Sequence, residues 1–442
     1  MHCKTEVRCA MKLWMKAIVV MAMTIAILVP LMMIFGVIQG RKSYRQEAIR
    51  DIASHVGAEQ QVQAPVLVLP YTRIVEKDVA DGNGGIRRGL QRETGHWYFY
   101  PDSFKADGIL NPSVRKRGLH EVRVYDWQGE LAASFDAEIS PKQEDGQYTF
   151  GQPFIAFGIS DVRGLRGTPQ VQVNGNRLKI QQGAGLAGKT GLHVLLPQIE
   201  GRQRLRLETR LVMTLAGTEG FGILPLADSN DIRLKSNWPH PSFSGILPQH
   251  NVSPQGFEAH WQIDALATDA RKYWQGGSYT DQDVAQVALL DPVNPYLLAE
   301  RATKYGVLFV VLTFAGFFMF ELVRQIRVHP IQYGLVGLAI AIFFLLLLSL
   351  SEHIAFGLAY LLAALACTGL IGFYLSAVLK SVTGGMGFAA MLATLYGALY
   401  GLLILEDNAL VVGSGLLFLI LAAIMTATRK VDWYALGQGG GR

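Results

Sequence analysis

Apolar residues are concentrated in two parts of the chain, and a long polar middle lies between them. A helix that spans a bilayer needs about twenty consecutive, predominantly apolar residues. The pattern predicts six such helices, one before the polar middle and five after it, at residues 17–38, 305–323, 331–350, 355–379, 386–405 and 409–428. The first run follows Lys12 and Lys16 as a signal-peptide core would, but it is longer, and no A-x-A-like cleavage site follows it. We therefore expect an uncleaved anchor, with Met1 or Met11 as the first residue.

The polar middle, residues 39–304, begins with a helix-compatible stretch and then takes on the pattern of a β-rich domain. Segments in which apolar and polar residues alternate, as in strands with one wet face, lie at 66–75, 96–100, 121–127, 154–160, 193–196, 204–215 and 258–263. Asn174-Gly175-Asn176 separates two further short segments and predicts a hairpin, because Asn and Gly tolerate positive φ. We predict an all-β, sandwich-like domain in one or two lobes.

Basic residues occur only in alternate connections of the C-terminal helices, which predicts the orientation of the chain. Arg324 and Arg327 lie in one connection and Lys380 in the second one after it, and Arg429 and Lys430 follow the last helix. The connections between these, at 351–353 and 406–408, contain no Lys or Arg. The positive-inside rule then gives a cytoplasmic N-terminus (1–16), a first spanning helix (17–38), a periplasmic β-rich domain (39–304), a five-helix bundle (305–428) and a cytoplasmic tail (429–442).

Composition agrees with a membrane protein and excludes one class of partner. Half of the 442 residues are apolar and 17% are charged, below the roughly 25% of soluble domains. The net charge is only +5 and there is no long Lys/Arg run, so we expect no nucleic acid partner. None of the three cysteines, Cys3, Cys9 and Cys367, lies in the polar middle, so that domain is stable without a disulfide.

One segment matches a nucleotide-binding motif letter for letter. Gly183 to Thr190 reads G-x-x-x-x-G-K-T, with Lys189 in the place of the phosphate-binding lysine. A phosphate-binding loop must be followed by a helix whose N-terminus faces the phosphates. The residues after Thr190 are short and strand-like, and no apolar strand ending in Asp follows. We interpret the segment as a Gly-rich loop and expect no nucleotide partner and no cofactor.

The histidines of the middle domain give no metal or catalytic motif. His193, His240, His250 and His260 lack the H-x-x-x-H spacing and have no nearby cysteines, so we expect no metal site unless distant residues converge. The sequence also has no G-x-S-x-G nucleophile elbow, and its Asp and Glu residues suggest no particular acid–base pair. No residue is assigned a catalytic role, and the protein is more readily a non-enzyme than an enzyme.

The most distinctive soluble segment runs from Ser236 to Phe243 and contains two prolines that fix its backbone. It can present Trp238, His240 and Phe243 to a partner at low entropic cost. It can equally be a rigid crossover whose Trp238 and Phe243 pack into the core, and we favour this for Trp238 while expecting His240 to be exposed. As a core residue, Trp238 changed to Ala would cost about 3–5 kcal/mol.

Ionisable residues of the helical part lie almost entirely at helix ends. Glu352, His353, Glu406 and Asp407 form a candidate polar cluster at the outer boundary. A charge-coupled transporter needs carboxylates or histidines near the midplane, so their absence there disfavours transport. Small residues recur every four positions at Ala389, Ala393, Gly397 and Gly401, which predicts close approach of another helix of the same chain.

Several segments together resemble the CreD family of bacterial inner-membrane proteins, almost from end to end. They are Gly151 to Ile155, Asp161 to Gly164, Ser236 to Phe243, Gly256-Phe257 with Ala259 to Trp261, Arg301 to Tyr305, Leu350 to His353 and Asp432 to Leu436. The resemblance implies a Gram-negative inner membrane, a periplasmic domain and expression linked to a two-component system that responds to envelope stress. It also implies tolerance to colicins and β-lactams, and it supplies no catalytic residue.

These observations lead to one interpretation and two alternatives. The chain is expected to be a non-enzymatic protein of the envelope-stress response that contacts membrane lipids. Its periplasmic domain is expected to bind an envelope component or a periplasmic or inner-membrane protein. The first alternative is a membrane enzyme acting on lipid or cell-wall precursors, with Glu352, His353, Glu406 and Asp407 as its membrane-domain candidates. The second is a small-molecule transporter, which needs a polar path through the helices.

Overall fold

A computed structural model describes residues 13–81, 85–140, 147–199, 201–274, 280–289, 295–324 and 328–404, together with scattered positions between 411 and 429. The chain divides into two compact units. One comprises Met1–Tyr44 with Val293–Arg442, and the other comprises Arg45–Pro292. The first unit is helical in its described part, and the second consists mainly of strands.

Five helices in the described residues are long and apolar enough to cross a membrane. They are α1 (Leu13–Val56), α2 (Pro295–Arg324), α3 (Pro330–Ser351), α4 (Phe356–Val378) and α5 (Val382–Ile404). The predicted sixth helix, 409–428, lies mostly outside the described residues. The structure therefore agrees with a group of spanning helices next to a β-rich domain.

Two helices extend at least nine residues beyond one end of their predicted spans. Helix α1 continues through polar residues to Val56 and ends at Gly57, whose φ of +129° suits glycine. Helix α2 begins at Pro295 rather than at residue 305, so residues assigned to the middle domain start a helix instead. Charged residues such as Glu300 and Lys304 lower the hydropathy of that first stretch. A prediction based on apolar runs therefore misses it.

The described residues of the second unit form eighteen strands. They are β1 (Gln60–Gln63), β2 (Val66–Asp81), β3 (Gly85–Phe99), β4 (Ser103–Arg117), β5 (His120–Ile139), β6 (Gln147–Phe150), β7 (Phe154–Gly158), β8 (Leu165–Val173), β9 (Asn176–Leu178), β10 (Ile180–Gln182), β11 (Gly191–Leu195), β12 (Gln203–Thr218), β13 (Gly220–Leu224), β14 (Ser229–Ser236), β15 (Pro241–Gly245), β16 (Gln249–Ser253), β17 (Gly256–Asp264) and β18 (Ala285–Leu289). Each alternating segment predicted above lies within or largely on one of these strands. The predicted hairpin at Asn174 and Gly175, both with positive φ, joins β8 to β9.

The strands form three sheets that share one hydrophobic core. The largest sheet has the order β16-β17-β14-β4-β5-β12-β8-β9, the second β10-β11-β7-β2-β3 with β6 beside β2, and the third β1-β13-β18-β15. Most neighbours are antiparallel, but β1 pairs with β13 and β4 with β14 in parallel. A β-rich domain with layered sheets is thus observed, as one compact unit rather than two lobes.

Trp127 of β5 lies at the centre of this core. Its side chain has no solvent exposure, and its ring stacks on Phe221 with 4.9 Å between centroids. The positions beside it, Gly108 and Gly129, must be glycine, because a Cβ at either would overlap the Trp127 ring. Large aromatic side chains of this kind contribute much of the energy of a core.

A buried glutamine at the start of β1, just after α1, hydrogen-bonds to two distant segments of the β-rich unit. Gln60 has no solvent exposure, and its Nε2 donates to the carbonyl oxygens of Asp161 and Ala216, both at 2.9 Å. The Asp161 carboxylate in turn accepts the Ala58 N–H at 3.0 Å and is hydrogen-bonded by the Arg163 guanidinium. Hydrogen bonds from the Arg163 side chain, and from the backbone N–H groups of Ala58 and Arg163, lower the pKa of Asp161 to about 2. This carboxyl is therefore ionised at any physiological pH.

Candidate functional site

The outer face of the largest sheet carries an open groove of about 780 Å³, which we call the sheet groove. Because side chains alternate between the two faces of a strand, every second residue of four neighbouring strands points into it. The polar lining residues are Asp107, Arg233, Lys235, Gln249, Asn251, Glu258 and His260. A second hollow of about 380 Å³ lies on the same face, along β4, β5, β12 and β8. The face thus carries two open hollows, each with charged side chains in its lining.

Charges in the sheet groove are arranged in pairs across strands. Asp231 accepts from His260 Nε2 at 2.8 Å and from Arg233 at 3.2 Å. Lys235 donates to Glu258 at 2.8 Å, and both side chains are more than half exposed. Exposed pairs of this type contribute little to stability, roughly 0–1 kcal/mol each. Their charges and hydrogen-bonding groups are available to a polar ligand at small energetic cost.

The Trp238 segment lies between β14 and β15. Trp238 is half-buried, packs against the core, and its Nε1 donates to the His240 carbonyl oxygen at 3.1 Å. The Arg123 guanidinium lies over its ring at 4.6 Å from the centroid, in cation–π geometry. His240 is exposed. Trp238 thus combines a packing contact with a partly accessible ring, which neither sequence interpretation described by itself.

Phe243 packs on the core side of the sheet that carries the groove. Its ring is half-buried and lies 4.8 Å from the His250 ring, 5.6 Å from the Phe257 ring and 6.0 Å from the Trp261 ring. His250 pairs in register with Ala259, so its side chain lies on the same face as Ala259 and on the opposite face from His260. The structure therefore places Phe243 behind the sheet groove, with His240 exposed in the connection before it.

The Gly-rich segment around Lys189 is a loop between two strands. It connects β10 to β11, so a strand rather than a helix follows Thr190. The Lys189 ammonium lies 4.6 Å from the centroid of the buried Trp274 ring, and burial lowers the pKa of Lys189. The His193 Nδ1 lies 2.7 Å from the Gly183 carbonyl oxygen. Without a helix N-terminus, the loop lacks the dipole and N–H groups that bind phosphate.

Of the four residues predicted at the outer boundary, the structure describes two. The Glu352 side chain is 6% exposed, lies 3.4 Å from the Arg41 Nε and accepts from the Tyr296 hydroxyl at 3.3 Å. His353 is exposed. Glu406 and Asp407 lie outside the described residues. Glu352 is thus held in an ion pair between helices of one unit, which is an ordinary structural role for a buried carboxylate.

Among the described residues, no three His, Cys, Asp or Glu side chains are grouped closely enough to hold a metal ion. His193, His240, His250 and His260 lie in different surroundings. His250 and His260 are on neighbouring strands, but their side chains lie on opposite faces of the sheet. The sheet groove was missed from the sequence. The alternation of Asp231, Arg233 and Lys235 along one strand marks a wet face, but only the strand order shows which residues of the other strands meet it.

Comparisons with known proteins agree with this architecture. The E. coli (strain K12) protein described as "Inner membrane protein CreD" is 36% identical over 416 residues, covering 92% of this chain and 91% of that protein. Two solved structures of yeast leukotriene A4 hydrolase, one native and one with bestatin, align with TM-scores of 0.23 and identities of 9% and 7%. They cover 42% and 49% of this chain, which spans 29% and 34% of their lengths, and such slight likenesses support no structural argument.

The family comparison covers both units. The profile of the family described as "Inner membrane protein CreD" matches residues 12–434, from the start of α1 through the β-rich unit and beyond the last described helix. Together with the relative that is similar over almost its whole length, this match explains the apolar helices as those of a multi-pass inner-membrane protein. The chain belongs to the CreD family of inner membrane proteins.

Proposed function

We propose that this protein maintains the integrity of the cell envelope under envelope stress, through binding of an envelope component or a protein partner by its β-rich unit. The observation that carries the proposal is the sheet groove, a concave surface of about 780 Å³ that combines apolar walls with exposed ionic groups of both signs. Binding sites are concave and combine a few placed polar groups with a rigid scaffold. The four strands that form the groove supply that scaffold.

The Trp238 segment supplies the second part of the proposed binding surface. Trp, Tyr and Arg dominate the residues that contribute most to protein interfaces. Trp238 with Arg123 over its ring, followed by the exposed His240, provides this chemistry on the same unit as the groove. We therefore include Trp238 and His240 in the proposed binding surface, and Phe243 supports the segment from the core side.

The proposal requires the β-rich unit to lie outside the cytoplasm. Reporter fusions at Gln128, Glu352 and Asp407 should behave as periplasmic, and fusions at Arg327, Lys380 and Gly437 as cytoplasmic, because basic connections face inward. A cytoplasmic signal at Gln128 would overturn the orientation and with it the access to envelope components.

The binding surface can be tested in cells exposed to a β-lactam. A photo-crosslinking residue at His240 or Lys235 should capture a discrete adduct, and the same residue at Lys179, exposed on the turn after β9, should not. Arg233→Ala with Lys235→Ala should lower β-lactam tolerance at unchanged protein abundance. Arg204→Ala is the matched control, because Arg204 is similarly exposed and paired on the same sheet but outside the groove. Equal tolerance of all variants would refute the role of the groove.

A further inference from the structure

Helices α4 and α5 form an antiparallel pair that is closed at one end. The short connection at residues 379–381 joins them, and close to it Gly385 packs directly on Ser376, since a Cβ on Gly385 would overlap that serine. One turn further along, a Cβ on Gly372 would lie only 3.0 Å from the Cβ of Ala389. The predicted small-residue contact between helices is therefore observed at Ala389.

At the other end the same helices separate and leave a groove of about 390 Å³, which we call the acyl groove. Its walls are mostly apolar and include Tyr360, Leu361, Leu365, Thr368, Gly397 and Tyr400. No described residue lies within 4 Å of the place where a Cβ on Gly397 would be. Among the described residues, the predicted helix contact is thus observed at Ala389 and none is seen at Gly397.

The length and the surroundings of this groove limit what can fill it. On α4 its walls run from Gly357 to Thr368, about three helical turns or ~17 Å. That is roughly half of the ~30 Å hydrocarbon thickness of a bilayer, or one leaflet. Leu361 and Leu365 on its rim are 53% and 61% exposed, as expected of side chains that face lipid. In the orientation predicted from the basic connections, the open end lies in the outer leaflet.

We propose that the acyl groove binds one acyl chain of a membrane phospholipid. Water does not fill apolar space in a bilayer, and an empty groove would lose the dispersion contacts of its walls. A spanning helix would need contact along the whole bilayer, whereas this groove closes about halfway. An extended hydrocarbon chain from one leaflet matches the length, the apolar walls and the open side.

The test uses the full chain in vesicles of phosphatidylethanolamine and phosphatidylglycerol that contain a phosphatidylethanolamine with a diazirine in its acyl chain. After illumination, adducts are mapped by mass spectrometry. Wild-type protein should be labelled between residues 357 and 400. Gly397→Leu adds a side chain whose Cβ meets no described residue within 4 Å, and it should reduce this labelling about tenfold, as expected if filling removes most of the affinity.

Gly401→Leu is the matched control, because Gly401 lies one turn along α5, also has no described residue within 4 Å of its Cβ position, and does not line the groove. It should be labelled like wild type. Ala393→Leu fills the groove one helical turn closer to the connection at residues 379–381. This variant replaces Gly397→Leu if that protein does not accumulate. Unchanged labelling in both filled variants overturns the proposal. So does efficient crosslinking in membranes between a cysteine at Gly397 and cysteines placed in 409–428, since a helix would then occupy the groove.

Discussion

The two units of this protein differ in how some of their buried amide and hydroxyl side chains are hydrogen-bonded. In the β-rich unit, the bonds from Gln60 reach Asp161 and Ala216, far away in the sequence. The buried Asn230 similarly bonds Ile263 on another strand, at 3.0 Å. In the helical unit, Thr303 and Thr313 donate to carbonyl oxygens four residues earlier, at 2.9 and 2.8 Å.

This difference follows from the secondary structure and the solvent. A strand cannot satisfy its own backbone groups, so the β-rich unit needs partners from distant segments. A helix in a bilayer satisfies its backbone internally, and its hydroxyl groups can add a local bond. Long-range polar bonds therefore link distant segments of the β-rich unit. In the helical unit, steric fit, as at Gly372 and Ala389, acts together with a few bonds between helices, such as that from the Tyr360 hydroxyl to the Tyr396 carbonyl oxygen at 2.7 Å.

The largest expected effect is at Gln60, and it distinguishes long-range from local hydrogen bonding. Gln60→Ala should lower the free energy of unfolding by about 3 kcal/mol or more, because at least two buried carbonyl oxygens lose their donor. Thr313→Val, at an equally buried position, should cost less than about 1 kcal/mol, because only a local bond is lost. Thermal unfolding of the full chain in detergent, monitored by the protease resistance of each unit, measures both losses of stability. Similar losses for the two variants would show that the comparison is wrong.

A smaller effect is expected at Trp238, on the surface of the β-rich unit. The sequence favoured a core tryptophan costing about 3–5 kcal/mol on removal. Because the ring is only half-buried, we expect Trp238→Ala to cost about 2 kcal/mol. His240→Ala is the control and should change stability by less than about 0.5 kcal/mol, as exposed substitutions usually do. The midpoints of thermal unfolding of both variants measure these effects. An unchanged midpoint for Trp238→Ala would show that Trp238 does not stabilise the fold and would leave recognition as its only role.

The smallest effect is expected at Lys189. Lys189→Met keeps the apolar stem and loses the cation–π contact with Trp274, so stability should fall by less than about 1 kcal/mol. Envelope-stress tolerance should be unchanged, because the loop precedes a strand and offers no helix N-terminus to a phosphate. Loss of tolerance at normal abundance, or ATP binding by the purified protein that this change abolishes, would restore the nucleotide hypothesis.

Local patterns predicted much of the fold, and long-range pairing could not be predicted. The apolar runs gave the helices, and Asn174 and Gly175 gave the hairpin, because each depends on neighbours in sequence. The strand order depends on contacts such as Gln60 with Phe221, and no local signal encodes it. The sheet groove needs that order and was missed for this reason. Gly397 was recognised as a small residue, but whether it meets a helix or lipid depends on how far α4 and α5 diverge.

The two parallel strand pairs have a consequence for the folding of the chain. Strand β1 follows α1 directly, but its partner β13 comes only after eleven other strands, and β4 must likewise wait for β14. Pairing over such separations is slow, because the chain loses the entropy of a long loop before the two strands make any stabilising contact. During synthesis these edges stay unpaired until β13 and β14 have been made, and unpaired edges are prone to aggregation. Chains truncated before β14 should therefore be degraded rather than fold in part.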